Sequence, residues 1–569
     1  MCTNCLPHRN TQYPQEPWPP RAKVVRVIAR PVGDTPRRTK RDTRSSSLAD
    51  AVHTLISRRQ LLQVVGGGAL GLALTMGFLG RTLRRAAVPD HLVLIVLDGA
   101  RPEYLNVPGI PTVQSLIRNG ALYTNAFAGI LESETTSGHV SIATGSDPRV
   151  HGVLGFWWGD DNNQEISLFD PEKIRAGVMD DIIRQSGAPT LAGLVHAKRS
   201  TSKVVALSGH KYYAADALSS GDADLTMYYY GTPAGSFVPI AMPRQTPPAG
   251  ILDSPGLITK NDNIPLGLEN HLAMKLAVDT FKRMRQQVTL INLPEFDWPL
   301  GHVDGGSLAP SSVTILMQRF DRDLAMLQDA YRRAGVLDRT LFVLLADHGM
   351  MPLSQKVDNT VLQAAVANAG TKIVSESYSS GAYLWLEDSS RASQAAQNIA
   401  NLRSPAIQSV YVAGRTKAGY AYHHVSDGSL QRTAAVETAN QYLLSTFAGA
   451  NGPDVVVAFT EGAGSEPGGQ AGWKADHGGT SWEAQHIPLV ISGPGVRSGV
   501  ISSYPARLID VAPTVLQLMS ISPNSMQGAV LADVLESPPA SATYHQRANE
   551  QKLRSVVQAL QQESRLEMA

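Results

Sequence analysis

The sequence predicts an α/β protein built on a doubly wound, mostly parallel sheet that is sandwiched by helices and carries cap insertions. Short, continuous apolar runs recur along the chain and end near acidic or small polar residues: residues 93–97, 288–293, 341–346 and 487–492. Such runs are typical of parallel strands that are covered on both faces. Between some of the runs, apolar residues recur at helical spacing, in residues 268–285 and 312–334. This alternation of strands and helices predicts the doubly wound sheet.

Two stretches interrupt that alternation within a predicted globular domain of residues 88–536. Residues 155–268 are rich in Pro, Gly and Tyr, and residues 352–473 are similarly irregular. We interpret both as insertions that cap the ends of the strands, because long irregular segments in compact folds are usually functional. Residues 537–569 are predicted to form a polar C-terminal tail that contains one candidate helix.

The composition is that of a globular protein. The chain has 569 residues, of which 43% are hydrophobic, so it can bury a sizeable core. Its 50 Lys and Arg residues against 49 Asp and Glu residues give a net charge of +1, and no nucleic-acid-binding surface is evident. The only cysteines are Cys2 and Cys5, so the predicted domain has neither a disulfide nor a thiolate metal site.

The chain begins with a predicted basic, disordered leader at residues 1–57. Residues 58–87 follow, with the pair Arg58-Arg59 and a mildly apolar run at 64–79. They resemble a twin-arginine export signal, which implies the twin-arginine machinery as a partner and a location in the periplasm, outside the cell or on the outer face of the cytoplasmic membrane. The run is short for a span of roughly 20 residues. Cleavage of the signal and its retention as a single membrane anchor both stay open.

Candidate metal ligands follow the apolar runs. The carboxyl ends of parallel strands meet at one edge of a sheet, where open α/β sheets place their active sites. One Asp or His at such a position is usually a cap, but several in one chain favour a metal site. Carboxylate and imidazole ligands suit Zn²⁺, with Mn²⁺ and Fe as alternatives. The candidates are Asp98, Asp297, His302, Asp347, His348 and His477.

These six ligands are too many for one tetrahedral ion. Two cations about 4 Å apart could share them, a common arrangement in enzymes that transfer phosphoryl groups. The run ESETTSGH at residues 132–139 supplies hydroxyl groups just before a helix-like run at 140–144. The amide dipoles of a helix N-terminus favour an anion, although ordinary N-capping explains some of these hydroxyls equally well.

The order of the motifs resembles the alkaline phosphatase superfamily, and is most similar to its type I phosphodiesterase or nucleotide pyrophosphatase branch. Between residues 92 and 535 they run VLIVLDG, ETTSGHVSIATGSDPRVHGV, FDWPLGHVDG, LLADHGM, KADHGG and IPLVISGPGV. The resemblance implies an enzyme that hydrolyses a small phosphate ester with two divalent metal ions, for which zinc is expected. A phosphate monoesterase on the same site is one alternative, and an inactive binding protein on this scaffold is another.

The resemblance also implies a role for each candidate. Thr135 matches the nucleophilic threonine, which would form a phospho-threonine intermediate, and Thr136 is the runner-up. His139 matches a residue with a structural role. One ion would be held by Asp98, Thr135, Asp347 and His348, and the other by Asp297, His302 and His477.

Two departures from the family pattern concern the ligands and the substrate. Asp297 and His302 are one residue further apart than usual, so Glu295 and Asp304 are alternative ligands. Phe156 stands where the branch has a phosphate-binding asparagine, while Asn162 and Asn163 lie close by but out of register. Monoester against diester specificity therefore stays open.

Lys211 is a tentative substrate-binding residue. Its segment, LSGHKYYAADAL, resembles the lysine-bearing segment of threonine-dependent monoesterases, although Tyr213 replaces their arginine. Trp157, Trp158 and residues 228–230 could stack on a base or aryl group, or pack in the core.

Three other classes fit less well. A sulfatase of this fold would need a Cys/Ser-x-Pro-x-Arg motif, which the chain lacks. A phosphoethanolamine transferase would have several membrane spans, and a cofactor-independent mutase would be cytosolic and would use serine.

Overall fold

The computed structural model describes residues 88–160, 162–231, 236–252, 257–258, 265–416, 419–428, 431–465 and 472–568. The basic leader and the twin-arginine segment, residues 1–87, lie outside the described residues, so export stays a prediction. No helix in the described part of the chain combines the length and the apolar character that a membrane span requires.

The strands divide between one large sheet and several smaller ones. In chain order they are β1 (His91–Leu97), β2 (Gly120–Tyr123), β3 (Trp157–Gly159), β4 (Glu165–Ser167), β5 (Val204–Ser208), β6 (Leu225–Gly231), β7 (Ser236–Ala241), β8 (Leu257–Ile258), β9 (Val288–Leu293), β10 (Thr340–Leu345), β11 (Met351–Pro352), β12 (Gln355–Val357), β13 (Ile373–Tyr378), β14 (Gly381–Leu386), β15 (Ile407–Thr416), β16 (Gly419–Asp427), β17 (Val455–Phe459), β18 (Ala463–Ser465), β19 (Ala475–Asp476), β20 (Leu489–Ser492) and β21 (Val500–Ser502).

The large sheet has ten strands in the order β21-β2-β20-β10-β1-β9-β5-β6-β7-β8. Its centre, from β10 to β6, is parallel, whereas β20, β7 and β8 run antiparallel to their neighbours. β1, β9, β10 and β5 are buried along their whole length, as expected for strands covered on both faces. The predicted fold class, a mostly parallel sheet between helices, is confirmed.

The helices connect these strands. They are α1 (Pro111–Arg118), α2 (Thr135–Thr144), α3 (Pro148–His151), α4 (Pro171–Arg175), α5 (Val178–Ser186), α6 (Leu191–Lys198), α7 (Tyr212–Ser219), α8 (Leu268–Met284), α9 (Pro310–Arg333), α10 (Asn359–Ala367), α11 (Ala392–Ala400), α12 (Ala434–Ser445), α13 (Trp482–Gln485), α14 (Val511–Leu518) and α15 (Ala540–Met568). α7 and α8 pack on β5 and β9, and α2 packs on α7.

The two predicted insertions differ in structure. Within residues 352–473, β13 to β17 form a separate five-stranded sheet in the order β13-β14-β17-β15-β16, with its own apolar core. Residues 155–268, in contrast, contribute β5 to β8 to the large sheet, so this interval is not only a cap. The sequence pattern did not indicate its strand β5 (Val204–Ser208), because this strand is a short apolar run between polar segments.

The predicted polar tail contains a long amphipathic helix that packs against the domain. α15 buries apolar side chains such as Leu553, Val557 and Leu560, and it contacts α12 and α13. Arg432, just before α12, forms buried ion pairs with Glu563 and Glu567 of this helix. The C-terminal residues therefore belong to the domain that carries the site.

Candidate active site

The strand order brings the predicted carboxylates together. Asp98 follows β1, Asp297 follows β9 closely, and Asp347 follows β10 closely; these three strands are parallel neighbours. The three side chains are 0–5% exposed. Their convergence at one edge of the sheet follows from parallel pairing alone, since parallel strands end on the same side.

One group of close ligand atoms consists of Asp98, Asp347 and His348, whose atoms lie within 4.8 Å of one another. His348 Nε2 is 3.6 Å from Asp98 Oδ1 and 3.4 Å from Asp347 Oδ2. The other ring nitrogen, Nδ1, donates to the carbonyl oxygen of Gly349 at 2.9 Å. Because Nδ1 carries the proton, Nε2 presents its lone pair to the two carboxylates.

A second group surrounds Asp297. Nε2 of His302 lies 3.2 Å from Asp297 Oδ1, and Nε2 of His477 lies 3.7 Å from the same atom. Each of these histidines donates from Nδ1 to a carbonyl oxygen, that of Ala475 or of Ser133. When both rings are neutral, as metal binding requires, two imidazole lone pairs face one carboxylate oxygen, an arrangement that is repulsive unless a cation lies between them.

The lengthened spacing does not separate Asp297 from His302. The backbone folds back between them, so that the His302 amide donates to the Asp297 carbonyl oxygen at 3.0 Å. Glu295 instead accepts hydrogen bonds from the Gly267 and Asn270 amides near the start of α8. Neither Glu295 nor Asp304 belongs to a group of close ligand atoms among the described residues.

Asp476 is a site residue that the sequence analysis missed. Its carboxylate lies within 4.8 Å of ligand atoms of both His302 and His477. The side chain is 3% exposed. A signal existed in the run ADH, where an acidic residue precedes His477, but an adjacent pair on a strand usually points to opposite faces.

The buried polar atoms fit divalent metal ions. No hydrogen bond of good geometry reaches Asp297 Oδ1, Asp347 Oδ2 or His348 Nε2, although all three atoms are buried. Buried polar groups without partners are costly, and a cation between them would satisfy all three. Burial and the neighbouring His348 lower the pKa of His477 well below its usual value, which keeps this ring neutral and able to bind a metal.

Thr135 is the first residue of α2, beside these ligands. Its side chain is 2% exposed, and its Oγ1 lies 3.3 Å from Lys211 Nζ. Gly138, in the first turn, allows the helix to approach Asp347, since a Cβ atom there would lie 3.1 Å from Asp347 Cβ. Thr136 is also buried, and its hydroxyl has no hydrogen-bond partner.

Lys211 connects the two groups of ligands. It lies just before α7, and its ammonium is 2.9 Å from Asp98 Oδ1 and 2.7 Å from Asp297 Oδ2. Burial acts to lower the pKa of Lys211, but Asp297 and Asp98 outweigh it and raise this pKa well above its usual value. The side chain is therefore a permanent positive charge within reach of Thr135.

Behind the ligands, Asn292 and His139 form a hydrogen-bonded support. His139 Nδ1 donates to the Thr135 carbonyl oxygen at 2.8 Å and lies 3.2 Å from Asp347 Oδ2. Nε2 of the same ring accepts from the Asn292 amide, which also donates to Asp98 Oδ2 at 2.6 Å. The sequence analysis missed Asn292, whose only signal is a polar residue within the apolar strand β9.

The positions that depart from the family pattern lie in one aromatic cluster. Phe156 packs on Tyr213, and both rings contact Phe169. Trp157 is partly buried and contacts Phe156. Of the other aromatic candidates, Trp158, Tyr228 and Tyr229 are 1–5% exposed and pack in the core, whereas Tyr230 is 46% exposed.

The sequence profile of the type I phosphodiesterase / nucleotide pyrophosphatase family matches residues 92–458, which is more than half of the chain. The chain belongs to this family. As a member of it, the protein is an enzyme of the phosphoric ester hydrolases and of the alkaline phosphatase superfamily.

Solved structures agree with the family's fold. The alkaline phosphatase PafA superposes with a TM-score of 0.60 at 17% identity, covering 79% of this chain and 99% of PafA. Murine ectonucleotide pyrophosphatase / phosphodiesterase 5, described as inactive and in complex with AMP, gives a TM-score of 0.54 at 13% identity, covering 79% of this chain and 100% of that protein. The human enzyme of the same name gives 0.53 at 14% identity, covering 79% and 100%.

One curated relative matches over a short segment. Arylsulfatase K of Danio rerio is 50% identical over 38 residues, which are 7% of this chain and 7% of that protein. A match of this length covers too little of either protein to indicate a shared substrate.

Proposed function

We propose that the protein is an exported, two-metal hydrolase of phosphoric esters, similar to a phosphodiesterase or nucleotide pyrophosphatase, that acts through a phospho-Thr135 intermediate. The observation that carries this proposal is the position of the Thr135 hydroxyl. It lies at the N-terminus of α2, 3.3 Å from Lys211 Nζ, and Lys211 in turn contacts a carboxylate of each ligand group.

Two divalent ions, for which zinc fits the mixed carboxylate and imidazole ligands, would be bound here. Asp98, Asp347 and His348 would hold one ion together with Thr135, and Asp297, His302 and His477 would hold the other. When bound, the ions supply positive charge that lowers the pKa of the Thr135 hydroxyl and stabilises charge on the departing oxygen. Asp476 is a further candidate at the second ion because it lies close to His302 and His477.

The chain's own groups then position and attack the ester. The first amides of α2, which have no partner within the helix, can bind phosphate oxygens, and Lys211 adds a positive charge beside Thr135. Thr135 Oγ1 forms a bond to phosphorus as the bond from phosphorus to the alcohol oxygen breaks. A water molecule subsequently cleaves the phospho-threonine, which releases phosphate or a phosphate monoester and restores the hydroxyl.

A phosphate monoesterase on the same site is the second candidate. It is favoured by the contact of Lys211 with Thr135, because a second anionic charge on the substrate would strengthen its attraction to this lysine. One PafA structure is of a variant in which a threonine, an asparagine, a lysine and an arginine are substituted together. This chain has Thr135 and Lys211 in the resembling segments, but Phe156 and Tyr213 in place of the other two.

The test compares two neighbouring threonines. Thr135→Ala should keep two metal ions per chain and the melting temperature of the parent, but lose hydrolysis of 4-nitrophenyl phosphate and bis(4-nitrophenyl) phosphate by more than about 10³-fold. Thr136→Ala is the matched control, since it removes an equally buried hydroxyl one residue further along. Full activity of the Thr135 variant, or equal losses in both, would contradict the assignment of the nucleophile.

The proposed location rests on Arg58-Arg59 and the apolar run that follows them. The first 87 residues fused to a reporter should direct it across the membrane, and lysines at positions 58 and 59 should retain it in the cytoplasm. Export of both fusions would argue against the twin-arginine route. Cell fractionation would show whether the mature protein is released or anchored.

A further inference from the structure

A separate pair of carboxylates lies beside the predicted ligands and takes no part in the mechanism above. Glu132 and Glu134 precede α2 and are 1% and 4% exposed. Their carboxyl groups lie close enough for their charges to interact. Asp476 faces Glu134 closely enough for their charges to interact.

Oxygen atoms surround Glu132. The hydroxyls of Ser377 and Ser379 donate to its two carboxylate oxygens at 3.0 and 3.1 Å, and the Tyr383 hydroxyl lies near enough to interact with its charge. All three hydroxyls belong to the hairpin formed by β13 and β14. This hairpin is part of the five-stranded insertion within residues 352–473, called the cap below. The donor set contains no imidazole and no sulfur.

No positive side chain balances this charge. Among the described residues, neither Glu132 nor Glu134 forms an ion pair with a lysine or an arginine. Glu134 Oε2 is buried and has no hydrogen-bond partner, and the same holds for the hydroxyls of Ser133 and Ser380. Two adjacent buried carboxylates without a cation are strongly unfavourable, because removing charge from water costs several kcal/mol per ion.

The backbone leaves room at this pair. A Cβ atom at Gly155 would lie 3.8 Å from Glu134 Oε2, and one at Gly478 would lie 3.2 Å from Glu132 Oε2. Glycine at these positions therefore keeps side chains away from both carboxylates.

We propose that Glu132 and Glu134, together with hydroxyl oxygens of the β13–β14 hairpin, bind a third divalent cation of the hard, oxygen-preferring class. An oxygen-only set in a buried site suits Ca²⁺, which accepts several protein oxygens, better than Mg²⁺, which keeps most of its water. Zinc would prefer the histidine-containing groups nearby.

Such a cation would link the cap to the segment that carries the nucleophile. The hairpin residues Ser377 and Ser379 lie on one side of it, and Thr135 directly follows Glu134. The carbonyl oxygen of Ser133 accepts from His477 Nδ1, so this segment also orients a ligand of the second ion. The cation would act as a structural clamp between the cap and the active site.

The experiment measures binding, not turnover. Full-length protein saturated with ZnCl₂ is dialysed against CaCl₂ or, separately, against MgCl₂, and bound zinc, calcium and magnesium are counted per chain. One calcium ion in addition to the zinc, with a rise in melting temperature, is expected. Absence of bound calcium would overturn the calcium assignment, and absence of both bound calcium and bound magnesium would overturn the site.

Two variants locate the ion. Glu134→Gln should lose the calcium and its effect on melting temperature while keeping the zinc, whereas Glu376→Gln, on the same hairpin, should keep both. Equal calcium binding by Glu134→Gln and the parent would place the ion elsewhere and overturn the proposal. If that variant does not fold, terbium luminescence of the parent protein is measured instead. The luminescence should be lost on adding CaCl₂, and absence of any luminescence would overturn the site. Because calcium is counted independently of activity, failure of the calcium site can be distinguished from failure of the proposed hydrolysis.

Discussion

The ring of Phe156 packs edge-on against the ring of Tyr213, with centroids 4.8 Å apart and planes at 87°. In the family pattern that this chain resembles, a phosphate-binding asparagine stands at the position of Phe156. In the resembling segment of threonine-dependent monoesterases, an arginine stands at the position of Tyr213. This aromatic wall near Lys211 has one hydroxyl, that of Tyr213, so it offers phosphate oxygens fewer hydrogen-bond donors than an asparagine and an arginine would, but it can pack against the organic group of a diester.

The first prediction concerns this wall. The double variant Phe156→Asn, Tyr213→Arg should raise the ratio of monoester to diester kcat/KM by about tenfold or more, since one charged hydrogen bond contributes about 1.5–3 kcal/mol. Rates with 4-nitrophenyl phosphate and bis(4-nitrophenyl) phosphate measure the ratio. Phe169→Leu, which changes the same cluster without adding a polar group, should leave the ratio unaltered. An unchanged ratio in the double variant would show that the wall does not contact the substrate.

The second prediction concerns Lys211. Lys211→Met should lower kcat/KM by about 10²–10³-fold, the usual effect of removing one group that stabilises a developing anion. Metal content should not fall, because the lysine competes with the ions for Asp98 and Asp297. Lys203→Met removes an exposed lysine just before β5, the strand that Lys211 follows, and should leave kcat/KM and metal content unchanged. Loss of metal from Lys211→Met would instead assign the lysine a role in shaping the metal site.

The third prediction tests the support behind the ligands. Asn292→Ala removes the donor to Asp98 and His139 and should weaken metal binding by about 10–100-fold, as is typical for partners of metal ligands. Competition with a chelator measures the affinity. Asn440→Ala, at an equally buried asparagine within the cap, controls for a general loss of stability. Similar metal affinity in the two variants would contradict the supporting role.

The fourth prediction concerns removal of the metals. Dialysis against a chelator should abolish activity and lower the melting temperature, because Asp98, Asp297 and Asp347 then lose the cations and keep Lys211 as the positive side chain between them. ZnCl₂ should restore both. Activity that persists in protein shown by elemental analysis to be metal-free would exclude the two-metal proposal.

The fifth prediction concerns pH. Burial raises the pKa of Glu461 from 4.5 to about 7. The folded protein therefore holds a proton that the unfolded chain has released, and stability falls as the pH rises through this interval. Glu461→Gln has no carboxyl group to ionise, so it avoids this loss of stability. The variant should be more stable than the parent at pH 8, by at most about 3 kcal/mol, with little difference near pH 4.5. Melting temperatures at the two pH values test this, with the exposed Glu387→Gln as control. A difference independent of pH would assign the effect to packing.

The sequence predicts the centre of the sheet and much of the site because both depend on local patterns. The apolar runs at 93–97, 288–293 and 341–346 correspond to β1, β9 and β10, which are neighbours in the sheet. Ligands that end such runs are therefore recognisable. Asn292 and the Glu132–Glu134 pair were not, since their roles depend on partners more than a hundred residues away in the chain.

Glu461 also joins the end of the chain to the loop that carries His477. Its carboxylate accepts from the Ser481 hydroxyl at 2.5 Å, and its amide donates to Glu567 in the last turn of α15 at 2.6 Å. The loop that holds His477 is therefore tied to the last turn of α15 through a single buried glutamate, so loosening this helix should also loosen the loop.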